Sequence, residues 1–439
     1  MISEKYTHFW NRIPVDKTKC QRALRAVLLD RKGYYMKNIL VIGAGASGMM
    51  AALAAAKFGC RVTIYEKSDR IGKKILATGN GKCNLTNLNM GTEFYYTEDE
   101  EKLARCLERF SERDTLTFFE ELGLMTRERD GYVYPFCEQA SVVLDVLRLA
   151  LDKNGIQVKT SVEQIRIETL KNGLFQVVST AGKDRFDAVI LACGSKAGIK
   201  NVITDGYDLA KNFGHKIKKL YPALVQVRCK EPVFSAIAGV RIKAGVTLLV
   251  DGEVNAMESG EVQLTDYGIS GIPVFQMSRL IAGFLDENKK ITVCLDFLPH
   301  LSKDEWKDFY QKRLEDYAGR TAEEFLLGVL HKKISQMLLK EYGLKPADSI
   351  NDSIKKKLEL LCDAMKVFTV TPHSVNPFEQ AQVCRGGVDF KELDDSMQSI
   401  YQKNLYVCGE MVDIDGKCGG YNLQWAWTSG YLAGSNAAK

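Results

Sequence analysis

Gly43-Ala44-Gly45-Ala46-Ser47-Gly48 follows the apolar run Asn38-Ile39-Leu40-Val41-Ile42 directly, and a helix of small residues has to start inside it. A chain with this junction is committed to strand, tight turn and helix in one β-α-β unit. Each glycine answers a separate demand. Gly43 permits a sharp turn off the strand, Gly45 lacks the Cβ that would hold a pyrophosphate away, and Gly48 lets the helix pack closely on the sheet. The helix from about Ser47 to Phe58, stopped by Gly59, aims free backbone NH groups and roughly half a positive charge at the turn. The next strand, Cys60 to Tyr65, ends in Glu66, about 20 residues beyond the glycines, where a carboxylate accepts hydrogen bonds from both ribose hydroxyls and repels a 2′-phosphate. Strand, glycines, helix and acid together specify a dinucleotide site.

The residues after Glu66 select the nucleotide. Lys67-Ser68-Asp69-Arg70-Ile71-Gly72-Lys73-Lys74 leads into Thr78-Gly79-Asn80-Gly81-Lys82-Cys83-Asn84-Leu85-Thr86-Asn87, a second glycine-bearing loop with amides and cations. It reads either as an exposed basic turn or as backbone that Gly79 and Gly81 bring against an extended ligand. In the second case Asn80, Asn84 and Asn87 bond the polar edge of a flavin. FAD, being longer, suits this loop better than NAD. Phe186 to Gly194 reads as one buried strand ending in the small residues Ala192-Cys193-Gly194, and Leu405 to Glu410 as another ending in Gly409-Glu410. Gly419-Gly420-Tyr421-Asn422 then opens the last helix, whose N-terminus at the flavin pyrimidine ring would stabilise the charge gathered there on reduction.

These stretches carry a resemblance. VIGAGASGMMAA from Val41, IGKKILATGNGKCNLTN from Ile71, DGYDLAKNFGH from Asp205, GEVQLTDYGISGIPVFQMS from Gly260, AQVCRGGVDFKELD from Ala381 and YVCGEMVDIDGKCGGYNLQWAWTSGYLAG from Tyr406 resemble, in order and over nearly the whole chain from Met36, the BaiN/YhiN-like FAD-dependent flavoproteins. That family includes aminoacetone-oxidase-type members and a bile-acid enone reductase. The resemblance implies an α/β protein: a discontinuous Rossmann-like FAD-binding domain of the two-dinucleotide-binding-domain flavoprotein type, with an inserted β-barrel-like domain and a small helical domain. It implies FAD contacts at Gly43, Gly45, Gly48, Glu66, Gly81, Lys82, Gly194, Glu410, Gly419, Gly420, Tyr421 and Asn422. Ala46, Ser47, Lys67, Cys83, Asn84, Ala192 and Gly409, in the same stretches, complete the expected cofactor set. The chain departs from the family pattern at Cys193 and Cys384, where threonines are usual, and at Lys82, where arginine is.

Composition bounds the rest. With 439 residues, 46% of them hydrophobic, the chain can bury a large core in two or three domains. A formal charge of +5 spread over 60 basic and 55 acidic residues implies no polyanionic partner. Twelve cysteines without a CxxC pair and five histidines without metal spacing point to a reducing cytoplasm, no zinc and no redox disulfide. No apolar run has the length of a membrane span. Residues 1–35 are basic, contain an amphipathic-looking segment from Cys20 to Leu29, and lack the apolar core of a signal peptide. They read as an extension produced by the choice of start codon, Met36 being a natural beginning for the fold, or as an accessory helix.

Between the FAD segments the pattern changes. Residues 36–220 and 371–439 read as the FAD-binding domain, 221–300 and 365–390 as a β-rich insert, and 301–364 as a helical subdomain. Val246–Val250, Asp251-Gly252 and Glu253–Met257 form the clearest hairpin signal. Ser302 with Glu305 and Thr321 with Glu324 are capping boxes, and Trp306, Phe309, Leu314 and Tyr317 read as a helix core stripe rather than a ligand cage. Met365–Val370 and Ala381–Cys384 read as returning strands. An insert of this kind lays a second module over the flavin, with Thr371 to Pro377 and Arg385-Gly386-Gly387 at its junctions. His373 there is a candidate general acid or a merely structural histidine.

With one complete GxGxxG, a nicotinamide donor has no domain of its own and visits the cleft transiently. The leading expectation is an NAD(P)H-driven oxidoreductase in which FAD N5 passes hydride to an activated C=C of an apolar substrate; the bile-acid or steroid-like enone comes from the resemblance alone. The alternatives are a flavin oxidase of a small amine or amino ketone using oxygen, an RNA-modifying or RNA-binding flavoprotein, and a sensing protein without turnover. No residue identifies the catalytic proton donor or the oligomeric state.

Overall fold

Five strands form a parallel sheet in the order Leu405–Val407, Ala188–Leu191, Asn38–Ile42, Arg61–Tyr65, Gln157–Lys159. The computed structural model describes residues 36–198 and 206–439, so the expectation for residues 1–35 and the Asp205 end of one motif fall outside the described residues. Asn38–Ile42 and Ala188–Leu191 are buried almost throughout, as near-continuous apolar strands covered on both faces must be. From Asn38–Ile42 the chain crosses to Arg61–Tyr65 on one side, while the neighbour on the other side arrives much later in sequence. The order therefore reverses at the carboxyl end of Asn38–Ile42, which opens a crevice directly at Gly43.

The segment Phe186 to Gly194 is not one strand. Gly182–Phe186 belongs to an antiparallel three-stranded sheet, and only Ala188–Leu191 joins the parallel one. Asp187 makes the switch: its carboxylate accepts from the Asn38 amide at 2.7 Å, and its own NH donates to the Asn38 carbonyl at 2.8 Å.

The insert is built on a seven-stranded sheet ordered Phe368–Val370, Ile291–Asp296, Arg241–Val250, Glu253–Leu264, Gly268–Gly271, Val227–Cys229, Pro372–Val375. Its two outer strands are successive pieces of one stretch of chain, separated only by Thr371. The sheet is open: its two edge strands do not pair, so the insert expected to be barrel-like is an open antiparallel sheet whose edges are joined only through the chain at Thr371. The hairpin turn has Asp251 at φ +52° and Gly252 at φ +94°, the left-handed pair that a two-residue turn between twisted strands requires. Ile217–Ala223 and Val383–Val388 pair as a two-stranded neck where the chain enters and leaves the insert.

Three expectations for this region are corrected. The span read as all strand holds a 15-residue helix, Ile272–Asp286, started by Pro273; its β-branched and aromatic opening suggests strand, and packing on the sheet overrides that preference. Met365 and Lys366 end the helix Asp352–Lys366 rather than starting a strand, and the later strand begins at Val383 instead of Ala381. Phe309 is 47% exposed; Tyr310, at i+4 from Trp306 and i−4 from Leu314, takes the core position, while Phe309 stacks on the flank of Trp306 with ring centroids 5.6 Å apart. Both capping boxes form, with Ser302 and Thr321 accepting from Glu305 and Glu324 amides at 3.2 Å. The β insert and the helical segment, read separately from the sequence, share one hydrophobic core that is distinct from the core under the parallel sheet.

Candidate functional site

A cavity of about 400 Å³ runs from the crevice at Gly43 to the first turn of the last helix, Tyr421–Ala437. Gly43, Gly45, Ala46, Ser47, Glu66, Lys67, Ala192, Gly194, Glu410 and Asn422 of the expected set line it. The glycine turn is shaped from within. A Cβ on Gly43, at φ +107°, would lie 2.7 Å from the Ala192 carbonyl carbon, and one on Gly48 3.0 Å from that of Gly43. A Cβ on Gly45 would meet no protein atom within 4 Å, so the space above it is open to a ligand. Gly45 is also the N-cap of Ala46–Lys57 and no side chain caps that helix, so its first-turn NH groups face the open space.

Glu66 does more than the sequence suggests. Its carboxylate accepts from the Ala44 amide at 2.8 Å and the Ser68 amide at 2.7 Å, tying the glycine turn to the next loop. A carboxylate offers about four acceptor positions, so room remains for ribose hydroxyls. Across the cavity Lys74 pairs closely with Glu410, whose other oxygen accepts from the Cys384 amide at 3.0 Å. Lys67, Arg70 and Lys73 add positive charge to the same wall, and Lys73 is paired to Asp69 at 2.6 Å. Val162 to Ile165 completes the Glu66 side; this turn carries no motif, and nothing in the sequence marked it.

The remaining expected contacts support the cavity from behind. Gly409, at φ +71°, presses on Ser47: a Cβ would lie 2.7 Å from that of Ser47. Lys82 pairs with Glu138 at 2.8 Å and is more than half exposed, while Gly81 beside it, at φ +85°, faces open space. Cys83 is fully buried, and burial pushes its thiol up to about 11. Asn84, with its amide nitrogen toward the carbonyls of Val133 and Thr86, accepts from the Gly420 amide at 3.2 Å, and Asn87 donates to the Gly419 carbonyl at 2.9 Å. Asn84 and Asn87, two of the three asparagines expected at a flavin edge, therefore hold the approach to the last helix, while Asn80 is exposed; only Thr78 of their loop lines the cavity. Gly420, at φ +94°, fits against Thr86, where a Cβ would lie 2.6 Å from the carbonyl oxygen, and Tyr421 is buried with its ring stacked 4.6 Å from Phe94. His373 is exposed on Pro372–Val375, its Nδ1 3.2 Å from the Ser374 hydroxyl, away from the cavity lining. Among the described residues no cluster of side chains could hold a metal ion, and no helix is long and apolar enough to cross a membrane.

An uncapped helix N-terminus beside a Cβ-free opening, a carboxylate with spare acceptor positions and an elongated cavity ending at a second helix fit an extended dinucleotide such as FAD.

The family described as HI0933-like protein Rossmann domain matches residues 37–436. The 3-dehydro-bile acid delta(4,6)-reductase of Clostridium scindens is 43% identical over 411 residues, which are 92% of this chain and 100% of that protein. The ribosomal RNA dihydrouridine synthase of Haemophilus influenzae is 28% identical over 90% of this chain and 97% of its own. Among solved structures, the 3-ketosteroid-delta4-(5alpha)-dehydrogenase of Rhodococcus jostii RHA1, in complex with 4-androstene-3,17-dione, aligns over 94% of this chain and 99% of its own with a TM-score of 0.44 and 13% identity.

Proposed function

The chain belongs to the HI0933-like Rossmann family and is an FAD-dependent oxidoreductase, and from that premise we propose that it uses a nicotinamide donor to saturate a C=C conjugated to a ketone in an apolar, steroid-like substrate. The observation that carries this reading is 43% identity along the whole of a 3-dehydro-bile acid reductase. The reduction adds one hydride equivalent, from the nicotinamide, and one solvent proton across the double bond.

Bound FAD supplies a two-electron centre that takes hydride from one partner and yields it to another. The chain's own residues hold that centre in place. The NH groups of the first turn of Ala46–Lys57 would hold the diphosphate, and the free acceptor positions of Glu66 would accept from the ribose. The Lys74–Glu410 pair lines the same cavity and would offer the cofactor a cation and a carboxylate. The N-terminus of the last helix places its positive end at the far end of the cavity.

The Haemophilus influenzae relative favours a second reading, in which the saturated C=C lies in a pyrimidine of RNA. Anaerobic NADH or NADPH should bleach the flavin, and a 3-oxo-4,6-diene steroid acid should restore its colour. Recovery only with unmodified ribosomal RNA would replace the first reading by the second, and recovery only with oxygen after reduction by an amine would replace both by an oxidase.

A further inference from the structure

The loop after Glu66 is closed on one residue of the glycine turn. Ala44 donates its amide to the Glu66 carboxylate at 2.8 Å and accepts from the Gly72 amide at 3.0 Å, so the chain from Lys67 to Gly72 leaves the turn and comes back to it. Two more bonds hold the first half of the loop. The Ser68 amide donates to the other Glu66 oxygen at 2.7 Å, and the Ser68 carbonyl accepts from the Ser161 amide at 3.0 Å. Arg70 stands between the two anchored residues, Ser68 and Gly72, and it lines the cavity.

The cations after Arg70 are spent, and Arg70 is not. Lys73 pairs with Asp69 at 2.6 Å, and Lys74 pairs with Glu410. Arg70 is exposed and among the described residues makes no hydrogen bond and no ion pair; the field of Asp69 reaches it, but Lys73 holds that carboxylate. A guanidinium stays charged throughout the range in which proteins fold, and its planar fork of donors matches two oxygens of one phosphate. The glycine turn supplies less than a dinucleotide needs. The uncapped helix behind Gly45 offers roughly half a positive charge, whereas a diphosphate linkage carries a full negative charge on each phosphate. A helix terminus alone leaves most of that charge uncompensated.

We propose that Arg70 closes over the cofactor diphosphate from the solvent side, taking phosphate oxygens that the helix N-terminus leaves free, and so sets how slowly the protein releases FAD. Arg70 in this role requires FAD as the cofactor, whichever C=C the enzyme reduces. Because the side chain is exposed, its hold on the phosphates competes with water and dissolved ions, and FAD retention becomes dependent on salt.

The test is release of FAD from the loaded protein on dilution, read from the fluorescence of free flavin at low and high salt, with ADP and adenosine as competitors for the emptied site. R70M keeps the length of the side chain and removes the charge; R70K keeps a charge without the fork. R70M should release FAD about tenfold faster at low salt, the worth of one charge-assisted hydrogen bond at an exposed site, and R70K should fall between it and the unmodified protein. ADP should compete about tenfold less well in R70M, adenosine should compete equally in both, and high salt should narrow the difference in release. Unchanged release from R70M would overturn the proposal, and so would an equal loss for ADP and adenosine, which would place Arg70 at the base or ribose. An unmodified protein that holds no FAD at low salt would overturn the cofactor reading and the proposal together.

Discussion

Gly434→Ala sets two known effects against each other. In an isolated helix the change is favourable by about 1 kcal/mol, because glycine is the poorer helix former. Here Gly430 and Gly434 stand one turn apart on the last helix and face Ser47 and Ala51, one turn apart on Ala46–Lys57. A Cβ on Gly434 would lie 2.8 Å from both the Cα and the carbonyl carbon of Ala51, and closer still to its oxygen. Ordinary contact begins at 3.4 Å, so the helices must part by at least 0.6 Å, and the atoms struck are backbone with no rotamer to yield. Overpacking of this sort costs about 1–3 kcal/mol, and with both surfaces rigid the upper half of that range applies. The clash therefore outweighs the propensity gain and leaves a net destabilisation of about 1–2 kcal/mol. Thermal unfolding of the flavin-loaded protein measures it. Gly430→Ala should be destabilising too and should also loosen FAD, because the residue it displaces is Ser47, on the cavity lining. A Gly434→Ala protein that melts at or above the unmodified one would refute the close-packing argument.

Glu66→Gln should weaken FAD retention by about tenfold or more, because the carboxamide offers one acceptor oxygen to the two amides that Glu66 now satisfies; undiminished flavin after ultrafiltration would contradict this. Arg279 holds Asp415 with bonds of 2.7 and 3.2 Å, the pair being 11% and 2% exposed, and it covers the Tyr96 ring at 3.6 Å. Arg279→Met should cost about 3–5 kcal/mol in denaturant titrations by stranding a buried carboxylate, and adding Asp415→Asn should recover most of it. His215 is buried between Glu392, 3.2 Å from Nδ1, and Ser399, 2.7 Å from Nε2. Burial lowers its pKa from 6.5 despite the opposing pull of Glu392, so the unfolded chain binds the extra proton first. The resulting stability is complete above pH 6.5 and lost as pH falls from 6.5 toward the depressed folded value. Melting temperatures between pH 5 and 8 should show that slope in the unmodified protein and a flatter one in His215→Gln; identical slopes would count against the assignment.

The legible parts of this protein are those decided within a few residues. Gly43 and Gly48 are readable because a strand-to-helix turn places its demands on closely spaced steps of backbone, and each demand is visible in the backbone atoms a Cβ would meet, whereas a Cβ on Gly45 would meet none. The same holds for the Asp251-Gly252 turn and for the two capping boxes, in which side chain and partner amide lie three residues apart. Lys82 and Asn84 show where that reading stops: both lie in a loop of the right composition, yet Glu138 draws one side chain away and Gly420 engages the other, and neither partner is near in sequence.

Residue order alone settled the β-α-β start and the family, since each depends on short-range spacing or on motifs kept in line along the chain. Tertiary structure alone decided that Ile272–Asp286 is a helix and that the insert and the helical segment share a core. Those outcomes turn on contacts between residues tens to hundreds of positions apart, where burial and hydrogen bonding outweigh local preferences worth about 1 kcal/mol or less per residue.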